Sequence, residues 1–236
     1  MKIVVFTDTH ANLPALVALK KAIAEEAYDA VFHTGDVLDI GPYPAECLEV
    51  MAEIPRLHQI MGNHEEFLVK GLPEPRPPWM GEEEARHYEW TFSQLRGGER
   101  ETIAQWPYFI CREFEGTLVS FVHYGLSSTG SHFVPVVAEP APSDFDEMFG
   151  KFGSQVVFYG HDHKRSDLQG KARYVNPGPL GCGPEPVARY CVATFSHGAF
   201  KLEQRAVPYD RSEVFVELER RQVPDRLLIL KAFYGQ

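Results

Sequence analysis

The sequence predicts an α/β protein whose amino-terminal third is a βαβαβ layer on a parallel sheet, and three observations carry that prediction. Short apolar, β-branched runs recur at 2–6, 30–34 and 57–61, the length and composition of buried strands. Segments between them place apolar residues at helical spacing. Strand and helix in alternation imply crossover connections between parallel neighbours.

Taken in order, "KIVVF" (2–6) is the first strand. Asn12 can cap the helix that follows, Pro14 fits its first turn, and Leu16, Leu19 and Ile23 form its apolar stripe. "AVFHT" (30–34) is the second strand, "PAECLEVMAEI" (44–54) the second helix and "LHQIM" (57–61) the third strand. Residues 71–105 differ in kind. "GLPEPRPPWMG" is too rich in proline for a helix, whereas "EEEARHYEWTFSQL" and "GGERETIAQW" read as two helices joined at Gly97 and Gly98. We expect a helical insertion within a single domain spanning 1–236, serving either as a lid or as a hairpin packed beside the sheet. "TLVSFVHY" (117–124), "VVFY" (156–159), "ARYV" (172–175) and "YCVATF" (190–195) are further strands, the last of them with short connections that suggest antiparallel pairing.

The 236 residues are 44% hydrophobic and 24% charged, which suits a globular domain with a sizeable core and argues against disorder. No apolar run of about 18 residues offers a membrane span, and "MKIVVFTDTHANLP" turns polar too soon for a signal peptide. A cytoplasmic location is expected. Cys47, Cys111, Cys182 and Cys191 form no C-x-x-C pair, so they read as reduced structural thiols. A formal charge of −10 weakens the case for extended nucleic-acid binding. It does not oppose a small phosphorylated substrate, because bound divalent ions would reverse the local sign.

The polar residues fall in a pattern. "KIVVF" is followed by Asp8 and His10, "AVFHT" by Gly35 and Asp36, and "LHQIM" by Gly62, Asn63 and His64. The later strands end at His123, at Gly160-His161-Asp162-His163 and at Asn176. Carboxyl ends of parallel strands share one edge of a sheet, where ligand crevices form, so these groups should converge. Asp, Asn and His without thiolate make a nitrogen and oxygen donor set suited to manganese, iron, magnesium or zinc. Seven groups exceed one tetrahedral ion, but two ions about 3.5–4 Å apart could share a carboxylate, and Asp36 is the natural bridge. Each residue alone has an ordinary explanation. His33 reads as a core histidine, His58, His87, His132 and His197 as structural or surface groups, Asp39 and Asp162 as turn residues or ligand orienters, and the glycines as suppliers of turn dihedrals.

The ordered motifs "DTH" (8–10), "GD" (35–36), "GNH" (62–64), His123 and "GHDH" (160–163) resemble those of the calcineurin-like metallophosphoesterases, over nearly the whole chain. "GDVLDIGPYPAEC", "HYEWTFSQL" and "NPGPLG" further resemble a compact bacterial and archaeal subfamily of phosphodiesterases. The resemblance implies a four-layer α/β/β/α sandwich of two mixed sheets flanked by helices, with two divalent metal ions at their common edge. It implies Asp8, His10, Asp36 and His163 around the first ion, and Asp36, Asn63, His123 and His161 around the second. Manganese is the first expectation, with iron, magnesium, zinc, nickel or cobalt as alternatives. For His161 and His163 to serve different ions, the segment after Gly160 must leave regular strand geometry. Two departures stand out: the family often has "HGSP" where this chain has "HYGL" (123–126), and "NPGS" where it has "NPGP" (176–179).

The implied reaction is in-line attack of a metal-bridging hydroxide on a phosphate ester. His64, beside Asn63 but outside the implied ligand set, is the candidate general acid. Small nucleotide-like phosphodiesters are the first expectation for the substrate, and Trp79, Tyr88, Trp90, Phe92 and Trp106 are aromatic groups that either stack on a base or pack the insertion. Two other readings are a phosphomonoesterase, acting on small molecules or on protein serine and threonine, and a non-catalytic metal-binding scaffold. A homo-oligomer is compatible with all three.

Overall fold

In the computed structural model, which describes residues 1–236, the alternation of β1 (Lys2–Phe6) sets the layers. Ile3 and Val5 point to one face, Val4 and Phe6 to the other, and all four are fully buried. A strand apolar on both faces must be covered on both. The helix α1 (Leu13–Ala24) follows, its Ala15 N–H donating to the Asn12 side chain at 3.1 Å as the sequence anticipated. Next come β2 (Ala30–His33), α2 (Pro44–Ala52), β3 (Leu57–Gln59) and α3 (Asn63–Lys70), with β1, β2 and β3 parallel. Residues 71–105 contain α4 (Glu82–Ser93) and α5 (Glu99–Ile103).

A hairpin of β4 (Phe109–Phe114) and β5 (Thr117–Val122) opens the second sheet. It continues through α6 (Pro142–Phe149), β6 (Val156–Phe158), β7 (Ser166–Gln169) and β8 (Arg173–Asn176). The chain then returns to the first sheet with β9 (Val187–Ser196) and β10 (Ala199–Pro208), and closes with α7 (Ser212–Arg220) and α8 (Arg226–Tyr234). The strand orders are β10-β9-β1-β2-β3 and β4-β5-β6-β8-β7.

Three cores separate four layers. Val4, Phe6 and Val192 meet α1, α2, α7 and α8 on the outside of the first sheet. Ile3, Val5, Phe32, Phe121, Phe158 and Phe195 fill the space between the sheets. Val122, Val157, Tyr159 and Tyr174 meet Phe145 and Phe149 of α6. The sheets are locked by Phe32 on Phe121, parallel rings with centroids 3.8 Å apart. The expected sandwich is therefore present.

The structure also revises the sequence reading. The antiparallel pairing expected late in the chain is present, β8 with β7 and β9 with β1 and β10, but β8 also pairs in parallel with β6 on its other side. β4, β7 and β10, absent from the sequence reading, are all edge strands whose outward polar residues dilute the alternation. Of the aromatic residues singled out in the sequence, Tyr88 is buried and Trp90, Phe92 and Trp106 pack against the outer core, whereas Trp79 is 58% exposed. Truncating Phe121→Ala should cost about 3–5 kcal/mol of stability through the cavity it leaves between the sheets, measured by chemical denaturation.

Candidate metal centre

Both sheets send their parallel strands to the same edge. β1 delivers Asp8 and His10, β2 delivers Asp36, and the start of α3 after β3 supplies Asn63 and His64. β5 delivers His123, and the loop after β6 supplies His161 and His163. All eight predicted residues meet there. In one cluster, His10 Nε2 and His163 Nε2 lie 2.8 Å apart, with Asp8 Oδ1 at 4.0 and 3.9 Å from them. In the other, Asn63 Oδ1 lies 2.8 Å from His161 Nδ1 and 3.0 Å from His123 Nε2. Asp36 Oδ2 is 2.9 Å from His123 Nε2 and 3.6 Å from His64 Nε2, and Asp36 belongs to donor groups with either His10 or His123 and His161.

The backbone is bent to achieve this. Asp8, His10, Asp36, His161 and His163 all have positive φ, between 47° and 77°, a region costly for residues with a Cβ and found where surrounding structure imposes it. The irregular loop required after Gly160 is thus present, and it turns His161 and His163 to different clusters. Gly62 serves another need than the turn dihedral expected of it. Its φ is −95°, but a Cβ there would lie 2.0 Å from Asp36 Oδ1.

Donor chemistry fits divalent cations. Asp8 Oδ2 is buried without a hydrogen-bond partner, an expensive state for a carboxylate unless a cation faces it. Burial, then the neighbouring Asp36 charge, push the Asp8 carboxyl up to about 7 despite the opposing pull of His123. Burial depresses His161 to about 3 and His163 to about 4, so both rings are neutral, the form that ligates metals. His123 and His64 behave differently. Burial opposes their protonation, but Asp36 outweighs it for His123, raised to about 9, and Asp36 with Asp39 outweigh it for His64, raised to about 10.

Several residues outside the predicted set hold the centre. Asp39 Oδ2 lies 3.0 Å from His64 Nδ1 and its Oδ1 2.9 Å from His87 Nε2, and Tyr88 stacks on the His64 ring with centroids 5.5 Å apart. Glu65, overlooked in the sequence, is fully buried and accepts four backbone N–H groups: Asp36 and Gly62 at Oε2, Val37 and Leu38 at Oε1, all at 2.9–3.0 Å. Its position three residues after Gly62, at the start of α3, is the one sequence signal for it. Asn176 lies behind the centre, donating to Asp162 Oδ1 at 2.5 Å and to Gly160 O. His33 is a core residue with Thr9 on its Nε2 but no partner at Nδ1. At the two departures from the family motifs, Tyr124 accepts the Val137 N–H through its hydroxyl and lies against His161. Pro179 bridges to Thr7 beside β1.

A two-sheet sandwich with carboxylate, amide and imidazole donors at the shared edge defines the class of metal-dependent phosphoester hydrolases. The calcineurin-like phosphoesterase superfamily domain matches residues 1–198, and the chain belongs to that family. It is similar to an uncharacterized protein of Methanocaldococcus jannaschii, with 24% identity covering 95% of each chain. Among solved structures, it resembles a hypothetical protein from Pyrococcus horikoshii, with TM-score 0.80, 16% identity and coverage of 100% and 98%. It also resembles a metallophosphoesterase from Sphaerobacter thermophilus, with TM-score 0.70, 21% identity and coverage of 97% and 99%. The fold is thereby shared across archaea and bacteria.

Replacing Glu65→Gln would set an amide NH2 against backbone donors and strand at least one pair of them. We expect a loss of about 3 kcal/mol or more, seen in urea unfolding, together with weakened divalent-metal binding in calorimetry.

Proposed function

We propose that the chain is a dinuclear-metal-dependent phosphodiesterase acting on small nucleotide-like diesters. The observation that carries this reading is the convergence of seven carboxylate, amide and imidazole donors around two adjacent clusters, with His64 beside both. Asp8, His10, Asp36 and His163 would hold one divalent ion, and Asp36, Asn63, His123 and His161 the other, manganese being the first candidate. Bound there, the ions supply activation of water and neutralisation of phosphoryl charge.

The residues around them supply orientation and a proton. His64, 14% exposed at its side chain, keeps Nδ1 on Asp39 and directs Nε2 into the centre, from which it donates a proton to the leaving oxygen. Tyr88 covers one face of the ring and fixes its plane. Diesters suit the local charge better than monoesters. The ionic partners of Asp8, Asp36 and Asp39 are all histidines, so no lysine or arginine pairs with these carboxylates. Ring contacts lead from His64 through Tyr88 and Phe67 to the exposed Trp79, which favours a base-stacking role for the insertion within a single domain. No helix is long and apolar enough to cross a membrane, and four free cysteines fit a cytoplasmic setting.

Chelator-stripped protein should be inert toward a chromogenic phosphodiester and regain turnover when Mn2+ is restored, with the corresponding monoester cleaved more slowly. Monoester preference would redirect the reading to a phosphatase, and no turnover with any divalent ion would remove it. His64→Ala should lower kcat about 10²–10⁴-fold on a diester with a poor leaving group, at unchanged metal content. For a nucleotide diester, Trp79→Ala should raise KM roughly tenfold with little change in kcat, the loss of one stacking contact.

A further inference from the structure

The imidazoles of the centre are held from behind in a consistent way. His10 turns Nδ1 to Leu38 O at 3.1 Å, and His123 turns Nδ1 to Thr34 O at 2.8 Å. A ring that donates through Nδ1 keeps its lone pair on Nε2, the tautomer a ligand needs. His161 is reversed, with Nδ1 facing Asn63. His163 follows the first two, since its Nε2 faces His10, but its Nδ1 meets no carbonyl. The Sγ of Cys182 lies there instead, at 3.4 Å.

We propose that Cys182 is a positioning residue for His163, its sulfur accepting the Nδ1–H and so fixing the tautomer and orientation of the ring. The inference rests on His163 being a metal ligand, as proposed above. The loop that carries the sulfur is firmly placed. Asn12 and Tyr234 both donate to Gly181 O, at 2.6 and 3.2 Å, and Gly183 N–H donates to Phe233 O at 2.7 Å. Gly181 has no room for a side chain, because a Cβ would lie 1.8 Å from Thr9 O. The Phe233 ring of α8 closes the far side of His163, with centroids 5.8 Å apart. Cys182 is only 4% exposed, so water does not replace it as the acceptor. Sulfur accepts more weakly than a carbonyl oxygen. The ion bound through His163 should therefore be the first released.

Cys182 also lies within 4.8 Å of donor atoms of His10 and His163, so direct ligation is the rival role, and the test separates the two. Mn2+ affinities are measured by chelator competition on the full chain, its C182A variant and its C182S variant, with melting temperatures of the metal-free proteins as a packing control. We expect C182A to weaken one of two sites about 10–100-fold and spare the other. C182S, which keeps an acceptor, should recover part of that loss, and the two variants should melt alike without metal. Unchanged affinities in C182A, equal loss at both sites, or equal loss in both variants would overturn the proposal. A sulfur-to-cobalt charge-transfer band in the Co2+-loaded parent would also overturn it by making Cys182 a ligand. Failure of the parent chain itself to bind divalent ions would remove the metal reading and this inference with it, an outcome visible before any variant is compared.

Discussion

A buried carboxylate whose hydrogen bonds all go to backbone N–H groups organises the centre. Glu65 gathers the N–H groups of Gly62, Asp36, Val37 and Leu38, so the loop after β2 and the start of α3 become one rigid unit. Without those bonds the four donors would be stranded away from water, and the carboxylate with them. Asp36 and Asn63 reach the same space because this knot fixes their separation. His64 inherits its place from the same turn, its own N–H donating to Asp36 Oδ1 at 3.2 Å. One acid thus sets the positions of three groups that the proposed reaction would use.

Around that knot, the sandwich acts as a device for aiming strand ends. Alternation within β1, β2, β5 and β6 buries apolar residues on both faces, which fixes register and leaves only the ends free to be polar. Five donors then occupy left-handed backbone positions. Such strain persists only where packing over-determines it, and here the neighbouring strands and the close approach of Gly62 to Asp36 supply that constraint. Stability built into the sheets is spent at their common edge.

Most of the centre was legible in the sequence because each donor follows an apolar run directly, and a strand end is a strong positional statement. The central strands and α1 were legible for the same reason, being apolar with clear periodicity. Three of the four edge strands were not. β4, β7 and β10 face solvent on one side and carry Arg112, Asp167 and Lys201 among apolar residues, so no clean period survives. Glu65 looked like an ordinary acidic residue in a first helical turn, and only the meeting of two distant loops reveals its four partners. Asp39 was ambiguous and Cys182 read only as a structural thiol for the same reason, since their neighbours His64 and His163 are brought to them by tertiary structure. The helix α7 did carry a signal, Val214 and Leu218 at i and i+4, but it is short and interrupted by an exposed Val216.

The division of donors between the sheets bears on how the molecule is made. Asp8, His10, Asp36 and Asn63 belong to the first sheet, and His123, His161 and His163 to the second. His10 and His163 stand 153 residues apart. Ions bound as proposed would clasp strand ends far apart in sequence and offset part of the entropy of closing a long loop. Their binding energy would then count toward the folded state itself. In a cell short of metal, the chain would lack that contribution to its stability and meet proteases and chaperones in its unfolded form more often. Scarcity would then lower the amount of the protein as well as its turnover.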